Sequence, residues 1–159
     1  MRAIRPLERL TKMKFSDKKW PGISIYEEDR NLIQSIAQQA GPLRGIDAKD
    51  ALMIAAALAA KAKAPEVAPS KDRRVDTISP GNLNTYTEYK QFIALIYYMT
   101  NGGENLNNMN DPKVLTENFV DYARRGLKML KTNYLSSIDG AKKLEEQFAE
   151  LLATATKKS

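Results

Sequence analysis

The chain has no cysteine and no histidine among its 159 residues. Without cysteine there are no disulfides, no thiolate nucleophile and no cysteine-ligated zinc, which accords with a reducing cytoplasm. Without histidine the commonest general base is missing, so neither a Ser-His-Asp nor a Cys-His arrangement can be assembled from this chain alone. The glycines, at 22, 41, 45, 81, 102, 103, 126 and 140, give neither GxxxxGK[ST] nor GxGxxG, so no known phosphate-cradling loop is present. No apolar run approaches the ~20 residues needed to span a bilayer, and the basic N-terminus lacks the apolar core of a secretory signal. Sustained period-two alternation is missing too, which predicts no substantial sheet, and no repeat occurs at a fixed spacing.

What is present describes an ordinary globule with an excess of positive charge. Hydrophobic residues make up 43% and charged residues 28%, enough for one domain over 1–159 that buries a core without metal or disulfide. Lys plus Arg number 25 against 19 Asp plus Glu, a net charge of +6 that favours polyanionic partners.

Punctuation along the chain predicts helices. Residues 1–22 form a basic N-terminal segment that Trp20-Pro21-Gly22 closes. Ser24 with Glu27 has the form of a capping box, which starts a helix carrying Ile25, Leu32, Ile33 and Ile36 and stopping at Gly41-Pro42. Asp47 caps the next helix, whose stretch from Ala51 to Ala60 has no polar residue and which ends before Pro65. A helix apolar on every side is buried on every side, and its alanines at 55–57, 59 and 60 let neighbouring backbones approach closely. Residues 61–81, with three prolines and mixed charge, read as an exposed loop or linker.

From Asn84, a helix places Tyr86, Tyr89, Phe92, Ile93, Ile96 and Tyr97 on one face. Asp111-Pro112 opens a long helix with Leu115, Phe119, Tyr122, Leu127, Leu130 and Tyr134, and Ser137 or Asp139 caps a last helix with Leu144 and Phe148. The predicted fold class is all-α, a bundle of about five helices with a long Pro-rich, charged loop after the second main helix.

Few groups are left to carry chemistry. Glu27-Glu28-Asp29 and Glu145-Glu146 are the dense acidic clusters, but adjacent residues on a helix diverge and do not converge on one ion, so no metal or other cofactor is expected. The first cluster suits a positive helix N-terminus, and the second suits pairing with Lys142 and Lys143. The aromatic stripe after Asn84 fits a core face better than a base-stacking platform.

Positive residues fall into groups. Arg124, Lys128 and Lys131, beside Arg125, recur on one face of the long helix as a ridge, whose bland alternative is a solvated face with cations near a helix C-terminus. Arg5, Arg9, Lys12, Lys18 and Lys19 lie on the N-terminal segment, Lys61, Lys63, Lys71, Arg73 and Arg74 in the 61–81 loop, and Lys142 and Lys143 on the last helix. Mobile cationic arms beside a helical ridge suit contact with phosphates that is independent of base sequence.

In size, all-helical bundle, the ridge of Arg124, Arg125, Lys128 and Lys131, and missing catalytic residues, the chain resembles the small subunits of CRISPR effector complexes of the Cascade type. That resemblance implies several copies stacked along a guide RNA complex, which stabilise target and displaced strands through basic surfaces and cleave nothing themselves. It also implies partners in a guide-bound backbone and a large subunit. The expectation is a non-catalytic, cytoplasmic, membrane-independent subunit that binds DNA or RNA backbone. The competing expectation is a structural adaptor that binds other proteins through helical faces. If the ridge touches phosphates, replacing its four cations by alanine should weaken binding with little loss of fold.

Overall fold

The computed structural model of the protein describes residues 19–101, 106–135 and 140–156. Within them the chain is mostly helical, but a two-stranded antiparallel sheet joins six α-helices. Strand β1 is Ile23–Tyr26, and its partner β2, Arg74–Ile78, lies inside the segment expected to be a loop. The helices are α1 (Glu27–Gln38), α2 (Ala48–Ala62), α3 (Pro80–Thr85), α4 (Thr87–Thr100), α5 (Pro112–Leu130) and α6 (Gly140–Thr156). A 3₁₀ turn at Leu106–Asn110 precedes α5, and a π turn at Lys131–Leu135 follows it.

The sheet displaces the expected capping box. Ile23 and Ile25 alternate inward and are buried, a period of two too short to stand out in the sequence. The outward residues pair across the strands: Ser24 faces Asp76 and its hydroxyl donates to the carboxylate at 2.7 Å, while Tyr26 faces Arg74. With Ser24 held by Asp76, helix α1 starts at Glu27 with no side-chain cap, and the Glu27 amide donates instead to the Arg73 carbonyl at 3.0 Å. Long-range strand pairing thus supplies what the local motif was expected to supply.

Other boundaries fall where the chain's punctuation puts them. Asp47 caps α2 by accepting from the Asp50 amide at 2.8 Å, and α2 ends in a left-handed residue, Lys63, just before Ala64-Pro65. Asp111 accepts from the Lys113 amide and Pro112 opens α5. The aromatic helix divides in two at Tyr86: Ser79 caps the short α3 and the stripe runs along α4. Tyr89, Ile93, Ile96 and Tyr97 are buried there, and the Tyr89 and Phe92 rings meet Phe119 of α5 edge-on at 5.8 and 6.4 Å. The stripe is therefore core, apart from Tyr86, which is exposed. The candidate caps Ser137 and Asp139 lie outside the described residues.

The centre of the molecule is the crossing of α2 and α5. Ala51, Ala55, Ala56 and Ala59 are buried, and no residue from Ala51 to Ala60 is exposed, as a helix apolar all round requires. The approach is close enough that a Cβ added at Gly126 of α5 would overlap the Ala55 backbone carbonyl. At Gly81, by contrast, an added Cβ would meet open space.

These two glycines make a paired prediction. Gly126→Ala gains about 1 kcal/mol of helix propensity but overpacks the crossing by roughly 1–3 kcal/mol or more, because backbone atoms cannot swing aside. Because the overlap is with backbone, the upper end of that cost applies, about 3 kcal/mol against the gain of about 1, and the net loss of about 2 kcal/mol is read as a lower urea midpoint. Gly81→Ala should leave the midpoint unchanged or raise it slightly.

Candidate functional site

Where the start of α1 meets α5, the acidic triplet and the basic ridge occupy one cluster. Glu27, Glu28 and Asp29 form the first turn of α1, where the positive end of the helix favours them. Each also has a cationic partner brought from far along the chain. Arg124 of α5 donates to Asp29 Oδ2 and to Glu28 Oε1, both at 2.7 Å, and to the Ala68 carbonyl at 3.1 Å. Its guanidinium also lies 4.7 Å from the centre of the Tyr26 ring. Arg124 is only 7% exposed and Asp29 only 3%, so this is a buried ion pair in which charge-assisted hydrogen bonds replace lost water.

Arg125 points elsewhere but is also engaged. It donates to Asp121 Oδ2 at 2.6 Å and to the Ala64 carbonyl at 3.1 Å, lies 3.8 Å from Glu66, and sits over the Tyr122 ring at 4.3 Å. Its side chain is 11% exposed. Arg124 and Arg125 therefore hold the segment between α2 and β2 against α5 through its backbone carbonyls. A phosphate could reach either guanidinium only by displacing these partners. The expected ridge of Arg124, Lys128 and Lys131 beside Arg125 is therefore not one open surface: Arg124 is buried and Arg125 nearly so, each held by carboxylate and carbonyl partners.

The remaining cations differ. Lys128 is 34% exposed and 3.9 Å from Glu28, and Lys131, in the π turn, is exposed. Arg73 forks onto the Glu27 carboxylate at 3.0 and 3.2 Å, yet its side chain is 74% exposed, so solvent screens the pair. Arg74 is exposed and lies over the Tyr26 ring at 4.9 Å. Lys19, Lys71 and Lys142 are exposed. Lys143 is in α6, with its side chain outside what is described, and Arg5, Arg9, Lys12 and Lys18 also lie outside the described residues.

The structure thus brings two of the sequence's basic groups together around consecutive acids, Arg73 at Glu27 and Lys128 at Glu28. It leaves Lys142 on a different helix. The acids were expected to serve only a helix N-terminus, and it is their pairing with Arg73 and Arg124 that sequence reasoning missed. Nothing local links Glu28 to Arg124, and an acidic first turn looks the same whether it serves only its own helix or a buried arginine.

Protonation follows the contacts. Hydrogen bonding to Arg73 holds the Glu27 carboxyl below its ordinary range, and hydrogen bonding to Arg124 does the same for Glu28. Burial pushes the Asp29 carboxyl up against the opposing pull of Arg124. Asp29 is the costly member of the cluster, and Arg124 is what allows its charge to stay.

Beside the cluster runs an open groove of about 910 Å³, between the outer face of the sheet (Ser24, Arg74, Asp76) and the first turns of α5 (Lys113, Thr116, Glu117). Lys19 and Trp20 also line it. Among the described residues no helix is long and apolar enough to cross a membrane. The chain matches no protein-family model, no curated protein and no solved structure.

Two measurements check the cluster. Arg124→Met removes one partner of a buried pair and should cost about 3–5 kcal/mol in chemical denaturation, with Arg124→Lys recovering little, since a compact ammonium does not reproduce the planar spread of donors that reaches Asp29, Glu28 and the Ala68 carbonyl together. The acid limb tests Glu28. A carboxyl held below its ordinary 4.5 contributes stability that is present above that value and is lost as pH falls through its depressed value. Asp29, raised by burial, acts in the opposite sense, favouring the fold below its ordinary 3.8 and losing that contribution as pH rises. Glu28→Gln should therefore lose less stability than the unaltered protein between about pH 5 and pH 3.

Proposed function

We propose that the protein is a non-catalytic, cytoplasmic subunit that binds nucleic-acid backbone through charge within a larger ribonucleoprotein assembly. This is the role its resemblance to the small subunits of CRISPR effector complexes implies. The observation that carries the reading is the convergence of Arg73 and Lys128, from separate basic groups, on the adjacent acids Glu27 and Glu28. Arg73 is exposed and Lys128 half-buried, and Lys71, Arg74 and Lys131 are further exposed cations. The net charge of +6 attracts a polyanion to the molecule at long range.

The division of labour differs from a simple ridge. Arg124 and Arg125 position the surface from beneath, and Arg73, Arg74, Lys128 and Lys131 are the groups that would meet phosphates. Contacts of this kind release counterions, are indifferent to base sequence and weaken steeply with salt. The missing histidine and cysteine accord with binding rather than turnover.

Affinity for unrelated DNA and RNA sequences at two or more salt concentrations tests the reading. Arg73→Ala, Lys128→Ala and Lys131→Ala should each weaken binding to all sequences alike and reduce the salt slope by roughly one unit per lost phosphate contact. Each should keep the unaltered unfolding midpoint to within about 0.5 kcal/mol. Absence of binding at low salt, or a flat salt response, would reject the reading and favour the protein-binding adaptor. That alternative is recognised by a partner complex that stays intact and free of nucleic acid after nuclease and high salt.

A further inference from the structure

We infer that the groove beside the cationic face receives an unstacked nucleobase, so that the form of nucleic acid bound is single-stranded. This rests on the reading of the protein as a nucleic-acid-binding subunit and extends it from phosphate contact to strand type.

The Tyr26 ring carries two guanidinium groups, Arg124 at 4.7 Å and Arg74 at 4.9 Å. Arg124 is fixed by Glu28, Asp29 and the Ala68 carbonyl, and Tyr26 is fixed on the sheet by pairing with Arg74. Arg74 is thereby pre-positioned, backed by an aromatic ring, while remaining exposed and lining the groove. A guanidinium plane held in this way is a surface on which unpaired bases stack.

The charge of the groove decides which part of a nucleotide enters. Lys19, Arg74 and Lys113 are balanced by Asp76, Asp111 and Glu117, so the groove does not concentrate phosphates as the neighbouring face does. Carboxylates do suit the amino groups on base edges. Asp76 already accepts from the Ser24 hydroxyl and Asp111 from the Lys113 amide. The side chains of Glu117, Lys19 and Lys113 have no hydrogen bond or ion pair among the described residues, so Glu117 offers an acceptor and the two lysines offer donors to a ligand.

Groove and phosphate face are also adjoining. A chain of contacts runs from Arg74 through Tyr26, Arg124 and Glu28 to Lys128, the last step being 3.9 Å. A flexible strand can lay its backbone on Arg73 and Lys128 and turn a base inward. A duplex cannot, because its bases are covered by stacking and their edges are paired, and opening it costs free energy.

Fluorescence anisotropy of the full chain, with a labelled mixed-sequence single strand of about ten nucleotides and with its duplex, tests the inference. Arg74→Lys keeps the charge and removes the plane. It should weaken single-strand binding roughly tenfold while leaving duplex binding unchanged, and Arg73→Lys should not change the ratio between the two. If Arg74→Lys leaves single-strand binding unaltered, or weakens both forms equally, the inference is overturned while the phosphate-binding reading stands. The first of those results is also the one expected of a groove that takes a peptide segment from a partner protein. If the unaltered protein binds neither form at low salt, the reading and the inference fall together.

Discussion

A guanidinium removed from water needs acceptors, and in this protein both terminal nitrogens of Arg124 find them where distant parts of the chain meet, while its Nε stays buried without a partner. Arg124 finds Glu28 and Asp29 at the start of α1, the Ala68 carbonyl on the segment between α2 and β2, and the Tyr26 ring at the end of β1. The next two residues act in other directions, as successive helical residues must. Arg125 engages the Ala64 carbonyl, and Gly126 allows α5 to rest against Ala55. Three consecutive residues of one helix thus fix the small sheet, the crossover segment and the central helix pair. Breaking the buried charge would release more than one element, because each uses α5 as its support.

The same arrangement shapes the candidate surface. A buried ion pair adds little net stability over an apolar substitute, but it demands its partners and so imposes a particular geometry. Here that geometry holds Tyr26, and through it Arg74, against a rigid base, and puts Lys128 beside the acid that Arg124 already binds. Cations that would otherwise wave in solvent are partly pre-positioned, which in the proposed role would lower the conformational entropy lost on meeting a polyanion. The acids also blunt the local charge, so in the proposed role the exposed groups at the margin of the cluster would carry the attraction, not its centre.

Much of the helical part was legible because it depends on local chemistry. Asp47, Asp111-Pro112 and Pro65 mark boundaries through hydrogen bonds and ring geometry only a few residues long. The alanine-rich helix announced its burial by having no polar face, and the aromatic stripe of α4 its role in the core by its spacing. The capping box at Ser24 failed for a related reason. The motif was correct as a pattern, but Asp76 competed for the same hydroxyl from 52 residues away. Strand β2 was hidden in a stretch rich in charge and proline, since its edge position lets Arg74 and Asp76 face outward and leaves almost no apolar signature.

What the sequence by itself determined is the helical framework, the positive balance and the lack of histidine and cysteine chemistry, because composition, caps and periodicity act over a turn or two of chain. Tertiary structure alone decided which cations are available. Arg124 and Lys128 lie one helical turn apart and are indistinguishable in pattern, yet one is buried against Asp29 and the other reaches solvent. The difference lies in desolvation and in partners some 95 residues distant, neither of which a helical period can express.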